Sequence, residues 1–118
     1  MEITFHTLVE APFPLVVNNF SKELFKRLNP PFPPVKVLAF GGNQVHDKVI
    51  LELNFIFFKQ KWESLITEFH QDENEMFFVD KGVKLPFFLK SWHHKHVIVR
   101  EGENVTRIVD RINFTAPL

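Results

Sequence analysis

The chain has 118 residues, the size of one domain, and 14 basic against 14 acidic side chains, so its formal net charge is zero. A neutral chain with no Lys/Arg cluster lacks the positive field that displaces counterions from phosphates, which excludes a nucleic-acid partner. It has no Cys, which excludes disulfides and thiolate catalysis and fits a reducing compartment.

Aromatic usage is unusual, with 15 Phe, 2 Trp and no Tyr. Phe supplies apolar area without a polar handle, so this set reads as core or as the wall of an apolar pocket. The opening Met1-Glu-Ile-Thr-Phe-His6 has neither a basic region nor an apolar signal core, and points to a cytoplasmic protein. The most apolar run, Val49 to Phe58, is interrupted by Glu52 and Asn54 and is too short to span a membrane.

Glu2 to Val9 alternates, with Ile3, Phe5, Thr7 and Val9 on one side, which predicts a half-buried strand. Ala11-Pro12-Phe13-Pro14 ends it. Leu15 to Phe20 predicts a short helix. A second helix is predicted from the N-cap Ser21, with Glu23 in its first turn and Leu24, Phe25 and Leu28 on one face. Asn29-Pro-Pro-Phe-Pro-Pro34 cannot continue a helix, because proline lacks a donor and fixes φ, and reads as a stiff linker.

From Val35 onward the pattern is strand after strand. Val35 to Phe40 is closed by the turn residues Gly41-Gly42-Asn43. Val45 to Phe58 carries a continuous apolar face of Val49, Leu51, Leu53, Phe55 and Phe57. Lys59-Gln60-Lys61 reads as a connector to a strand from Trp62 to Gln71. Glu75 to Lys81 is next, then a connection from Gly82 to Lys90 containing Pro86. Ser91 to Arg100 and Val105 to Thr115 follow, joined by a turn at Glu101-Gly-Glu-Asn104. One strand, two short helices and six consecutive strands with short turns predict an α+β fold with an antiparallel sheet.

The densest chemistry lies between Phe77 and His96. Trp92, His94 and His96 share one strand face, because side chains repeat every two residues. A hairpin closed at Glu101 to Glu103 brings Asp110 opposite His94. A carboxylate beside an imidazole fixes its tautomer and raises its pKa. His94, His96 and Asp110 are thus the candidates for general acid/base work, against a buried polar cluster that holds two strands together. Asp80 either orients a ligand or pairs with a histidine, or it makes a turn with its own backbone. The indoles of Trp62 and Trp92 reach a ligand carbonyl or, in the plainer reading, a protein acceptor. His-x-His with Asp110 offers three zinc ligands. No second cluster completes the set, so no metal and no cofactor are expected. Ser21, Ser64 and Ser91 lack the glycines of a nucleophile elbow.

Several of these pieces together resemble the START/birch-pollen-allergen (SRPBCC) superfamily, in particular bacterial ligand-binding members near the polyketide cyclase/dehydrase-like group. They are Asn29-Pro-Pro-Phe-Pro, Trp62, Phe78-Val-Asp80 with Gly82, Pro86-Phe87-Phe88, the alternating Trp92, His94 and His96, and Asp110 with Ile112 and Phe114. The resemblance spans residues 1–118 as one domain. It implies a helix-grip fold, a curved seven-stranded antiparallel sheet with two short helices after the first strand. It also implies a cavity for a lipid, polyketide or similar apolar molecule. The long C-terminal helix of that fold has no counterpart here, which implies a naturally short or a truncated chain, with the exposed sheet face covered by a second subunit in a homodimer, a swapped element or a bound amphiphile. Trp62, Phe78, Asp80, Phe87, Trp92, His94 and His96, with Leu51, Leu53 and Phe55, are the expected ligand contacts. Non-catalytic binding is the first reading. A cyclase/dehydrase-like enzyme using His94 or His96 is the second, and an interaction module that dimerises through the sheet is the third.

Overall fold

A computed structural model of the chain describes residues 1–18, 35–42, 44–54 and 58–117. Seven strands form one antiparallel sheet: β1 (Glu2–Val9), β2 (Val35–Phe40), β3 (Lys48–Asn54), β4 (Lys59–Gln71), β5 (Glu75–Lys84), β6 (Ser91–Gly102) and β7 (Val105–Thr115). One helix is described, α1 (Phe13–Asn18). The predicted second helix and the proline-rich linker lie outside the described residues.

The sheet order is β1-β7-β6-β5-β4-β3-β2. Strands β2 to β7 form a meander, and the first strand closes against the last, from Glu2 opposite Asn113 to Val9 opposite Thr106. The α+β reading and the antiparallel sheet are therefore present. Two register shifts interrupt the β4–β5 ladder, one between Glu63 and Ser64 and one between Ile66 and Glu68. Such bulges add twist and bend the sheet.

Helix α1 starts earlier than predicted, at Phe13 rather than Leu15. Pro14 belongs to the first turn, where its missing N–H and fixed φ fit the helix, so the proline begins the element instead of preceding it. Phe13 and Val16 are buried against Ile66, Met76, Phe78, Ile98 and Ile108, which all lie on one face of the sheet. Thr106, fully buried, donates its hydroxyl to the Ala11 carbonyl at 2.7 Å and fixes the approach to the helix.

Four strands depart from the expected boundaries: β5 runs on to Lys84 rather than Lys81, β6 to Gly102 rather than Arg100, and β3 and β4 begin elsewhere than expected. β3 begins at Lys48, not Val45, because Asp47 Oδ2 accepts the Gln44 N–H at 3.0 Å and His46 takes a positive φ of 75°, so this stretch turns. β4 includes Lys59-Gln60-Lys61, which pair with Asn54, Glu52 and Leu53 in the β3–β4 ladder. Charged residues alternate outward there, and the Lys59 Nζ lies 3.5 Å from Glu52. Val49, Leu51 and Leu53 are buried as the apolar face predicts, whereas Phe55 and Phe57 lie outside the described residues.

Candidate functional site

The period of two puts Trp92, His94, His96 and Ile98 of β6 on the face that carries α1. Asp80 on β5 is directly opposite His94, and Phe78 is opposite His96. On the other side Asp110 of β7 is opposite His96, and Ile112 is opposite His94. The expected pairing of Asp110 with His94 is thus displaced by two residues. Asp110 still reaches His94 on the diagonal.

Four titratable groups meet here. His96 Nε2 donates to Asp80 Oδ2 at 2.5 Å, and its Nδ1 lies 3.5 Å from Asp110 Oδ1. His94 Nε2 donates to Asp110 Oδ1 at 2.9 Å, and its Nδ1 lies 3.8 Å from Asp80 Oδ2. Trp92 donates its indole N–H to Asp80 Oδ1 at 3.0 Å. Asp80 therefore pairs across strands rather than turning on its own backbone. The two imidazoles stack with centroids 3.6 Å apart, and Phe78 stacks on His96 at 4.3 Å. Trp62 meets Trp92 edge to face at 4.5 Å and gives its N–H to Ser64 Oγ at 3.0 Å. Both indoles have protein acceptors, as the plainer reading expected.

The charges follow from these contacts. Burial pushes the Asp80 carboxyl up, but the hydrogen bond and charge of His96 and the Trp92 N–H outweigh it and hold the group below its usual range. Burial opposes ionisation of Asp110 too, and the hydrogen bonds from His94 and His96 hold it far below the usual range. For His96, burial favours the neutral ring, yet Asp110 and Asp80 at its two nitrogens prevail and raise its pKa. For His94 burial wins, with the His96 charge adding to it, and its pKa is lowered. The two rings are thus pushed in opposite directions, so a proton shared by the pair is held on His96 before His94. With both carboxylates ionised and one proton on the rings, the cluster would carry a net charge of minus one.

Because a carboxylate only accepts, the His94–Asp110 contact puts the neutral ring's proton on Nε2. His94 Nδ1 and Asp110 Oδ2 then have no hydrogen-bond partner among the described residues. These two side chains are the open edge of the cluster, 15% and 13% exposed, whereas His96 is 4% exposed.

That edge continues into an incompletely buried apolar strip. Phe5, opposite Asp110 in the β1–β7 ladder, is 54% exposed. Ile3 and Ile112 face each other beside it, and Phe114 lies opposite Trp92. Phe5 was not foreseen as a site residue, because nothing local to the first strand announces that it pairs with the last. Ser64 was legible in retrospect, since it lies two residues from Trp62 on the same face. An open recess of about 370 Å³ begins at this end of the sheet, lined by Gly82, Lys81, Trp92, His93 and Phe114 among others. A second recess of about 340 Å³ lies beside α1 at Gln71, Asp72 and Arg100. Neither of these two recesses is lined by Asp80, His94 or His96.

Not every expected contact joins the cluster. Phe78 is 1% exposed and walls His96 from below. Leu51 is opposite Trp62 on β3, and Leu53 lies further along that strand. Phe87 is 62% exposed in the β5–β6 connection, where it packs on Phe58 at 5.7 Å. The groups whose ligand atoms converge are Asp80, His94 and His96, all within 4.8 Å, not the His94, His96 and Asp110 set that the sequence suggested.

No family model matches the sequence, and no curated protein matches it. Solved structures do match. The Zhui aromatase/cyclase of a Streptomyces species superposes with a TM-score of 0.70 at 15% identity, over 100% of this chain and 69% of that one. A norcoclaurine synthase of Thalictrum flavum gives 0.66 at 11%, over 99% of this chain and 76% of that one. A START superfamily protein of Mycobacterium smegmatis gives 0.62 at 15%, over 99% and 78%. At these identities the likeness is one of fold. The chain shares the sheet fold of these proteins, the fold that the sequence resemblance implied. Among the described residues no helix is long and apolar enough to cross a membrane.

Proposed function

We propose that this chain is a single binding domain for an apolar small molecule that carries a hydroxyl or another hydrogen-bond donor. The observation that carries the reading is the open edge of the cluster. Asp110 Oδ2, an acceptor with no hydrogen-bond partner among the described residues, and the 15% exposed His94 ring lie beside Trp92, Phe114, Ile112 and Phe5. Apolar contact would supply most of the affinity, at about 25 cal/mol per Å² removed from water. The acceptors would supply orientation and select the polar group. A cluster with net negative charge repels a carboxylate, so an alcohol or phenol fits and a fatty acid anion does not. The reading is supported by the solved structures of this fold, which include an aromatase/cyclase and a norcoclaurine synthase.

A catalytic reading is favoured by one feature, the split between a charged His96 and a neutral His94 on shared carboxylates. That split provides an acid and a base in one row. His94, at the open edge, would be the base, held by Asp110.

The chain has only two indoles, and both belong to the site. Proton–nitrogen correlation spectra therefore report on it through two signals. Titration with naphthol should shift both saturably, and naphthoate should not. Asp110→Asn should weaken naphthol binding by about tenfold, the loss of one charge-assisted hydrogen bond. Equal binding of naphthol and naphthoate, or no movement of either indole signal, would overturn the reading.

A further inference from the structure

The four-residue cluster has a second property that does not depend on an organic ligand. Asp80 Oδ2, His94 Nδ1 and His96 Nε2 lie together from two adjacent strands, all within 4.8 Å of one another. Each of the three side chains has its remaining polar atom tied. Asp80 Oδ1 accepts from Trp92 at 3.0 Å. His94 Nε2 donates to Asp110 Oδ1 at 2.9 Å, and His96 Nδ1 lies 3.5 Å from the same oxygen. Metal-binding imidazoles are held this way, with the far nitrogen on a carboxylate that fixes the tautomer and makes the near nitrogen more basic.

We propose that Asp80, His94 and His96 form a binding site for a first-row divalent cation such as Zn²⁺, with Asp110 as the positioning carboxylate for both imidazoles. Two imidazoles and one carboxylate suit zinc and its neighbours and leave an open position, whereas calcium and magnesium prefer oxygen ligands. Zinc–ligand distances of about 2.0–2.1 Å put tetrahedral ligand atoms about 3.3 Å apart. The His94 to Asp80 spacing of 3.8 Å is close to that, and the His96 to Asp80 spacing of 2.5 Å must open by less than an ångström. The ion would take the place of the direct His96–Asp80 contact. His94, 15% exposed beside two nearly buried partners, is the point of entry.

The exposed group His70, Asp72 and Glu75 also brings ligand atoms together. It is already used, since Asp72 Oδ1 accepts the N–H groups of Asn74 and Glu75 and Oδ2 bonds His70, so it forms the β4–β5 turn. It serves as the control.

The test is calorimetric titration of chelator-stripped protein with ZnCl₂ and no organic ligand, repeated with His94→Ala, Asp110→Asn and His70→Ala. The expected result is one ion per chain, with binding lost in His94→Ala, weakened about 10–100-fold in Asp110→Asn and unchanged in His70→Ala. Absence of binding to the unaltered chain would overturn the proposal, as would binding that survives His94→Ala and disappears in His70→Ala. Should His94→Ala not fold, histidine nitrogen spectra of the unaltered chain decide. Zinc must move His94 Nδ1 and His96 Nε2; movement at His70 alone would overturn the assignment. None of these readouts depends on naphthol, so this site and the organic-ligand reading fail separately.

Discussion

Replacing Asp80 by Ala removes the acceptor on which the cluster converges. Asp80 is 5% exposed and accepts from the His96 imidazolium at 2.5 Å and the Trp92 indole at 3.0 Å. In Asp80→Ala the His96 charge loses its nearest counter-ion inside a site walled by Phe78 and Ile66. Breaking a buried pair from one side costs about 3–5 kcal/mol. His96 can limit the cost by losing its proton, while the orphaned Trp92 N–H adds to it, so the same range is expected for the whole. An unfolding entropy of about 2.1 cal/mol/K per residue is about 0.25 kcal/mol/K for a chain of 118 residues. The melting temperature should then fall by about 12–20 °C. Asp80→Asn keeps the Trp92 acceptor and leaves an amide facing His96, and should cost about half as much or less. Thermal melts followed by circular dichroism near neutral pH measure all three proteins. An Asp80→Ala protein that melts within about 2 °C of the parent would refute the reasoning.

Other outcomes follow from the same geometry. A Cβ at Gly82 would lie 2.5 Å from Leu85 Cδ2 and 3.1 Å from Trp92 Cβ. Gly82→Ala should therefore destabilise by about 1–3 kcal/mol and move the Trp92 indole signal more than that of Trp62. Thr106→Val keeps the shape but leaves the Ala11 carbonyl without its donor, and should cost about 1–2 kcal/mol in a denaturant titration. In chelator-containing buffer, the stability that His96 contributes is complete below its ordinary value of 6.5 and is lost as pH rises through its raised folded value. The contributions of Asp80 and Asp110 are complete above 3.8 and are lost as pH falls through their lowered folded values. Neutral burial of His94 adds a penalty as pH falls below 6.5. Melting temperature should thus decline on both sides of a maximum near mildly acidic to neutral pH, and a steady rise toward alkaline pH would contradict the His96 assignment.

Much of the sheet was legible because the period of two is strong wherever one face is buried. β1, β2 and β7 have the expected boundaries, and Trp92, His94 and His96 share the expected face. Local chemistry misled where it is ambiguous. Lys59-Gln60-Lys61 looks like a connector, yet it continues a strand whose partner offers Glu52. Val45 looks like a strand residue, yet Asp47 and His46 turn the chain there. Register was the larger gap. Whether Asp110 faces His94 or His96 depends on a two-residue difference in hairpin register, and whether Asp80 reaches His96 depends on the β5–β6 pairing across a connection of loose pattern. Closure of β1 onto β7 has no local signal at all, so Phe5 at the edge of the site could only be found in three dimensions.

The central claim is that the strip of Phe5, Ile112, Phe114, Trp62 and Trp92 beside His94 and Asp110 binds an apolar hydrogen-bond donor. Its most direct test is native mass spectrometry of the purified chain beside its denatured mass, before and after incubation with a panel of apolar alcohols and phenols. The account predicts added mass that is present in the native spectrum, disappears on denaturation and is reduced in Asp110→Asn. A chain that keeps its bare mass against the whole panel, while its melting curve shows it to be folded, would contradict it.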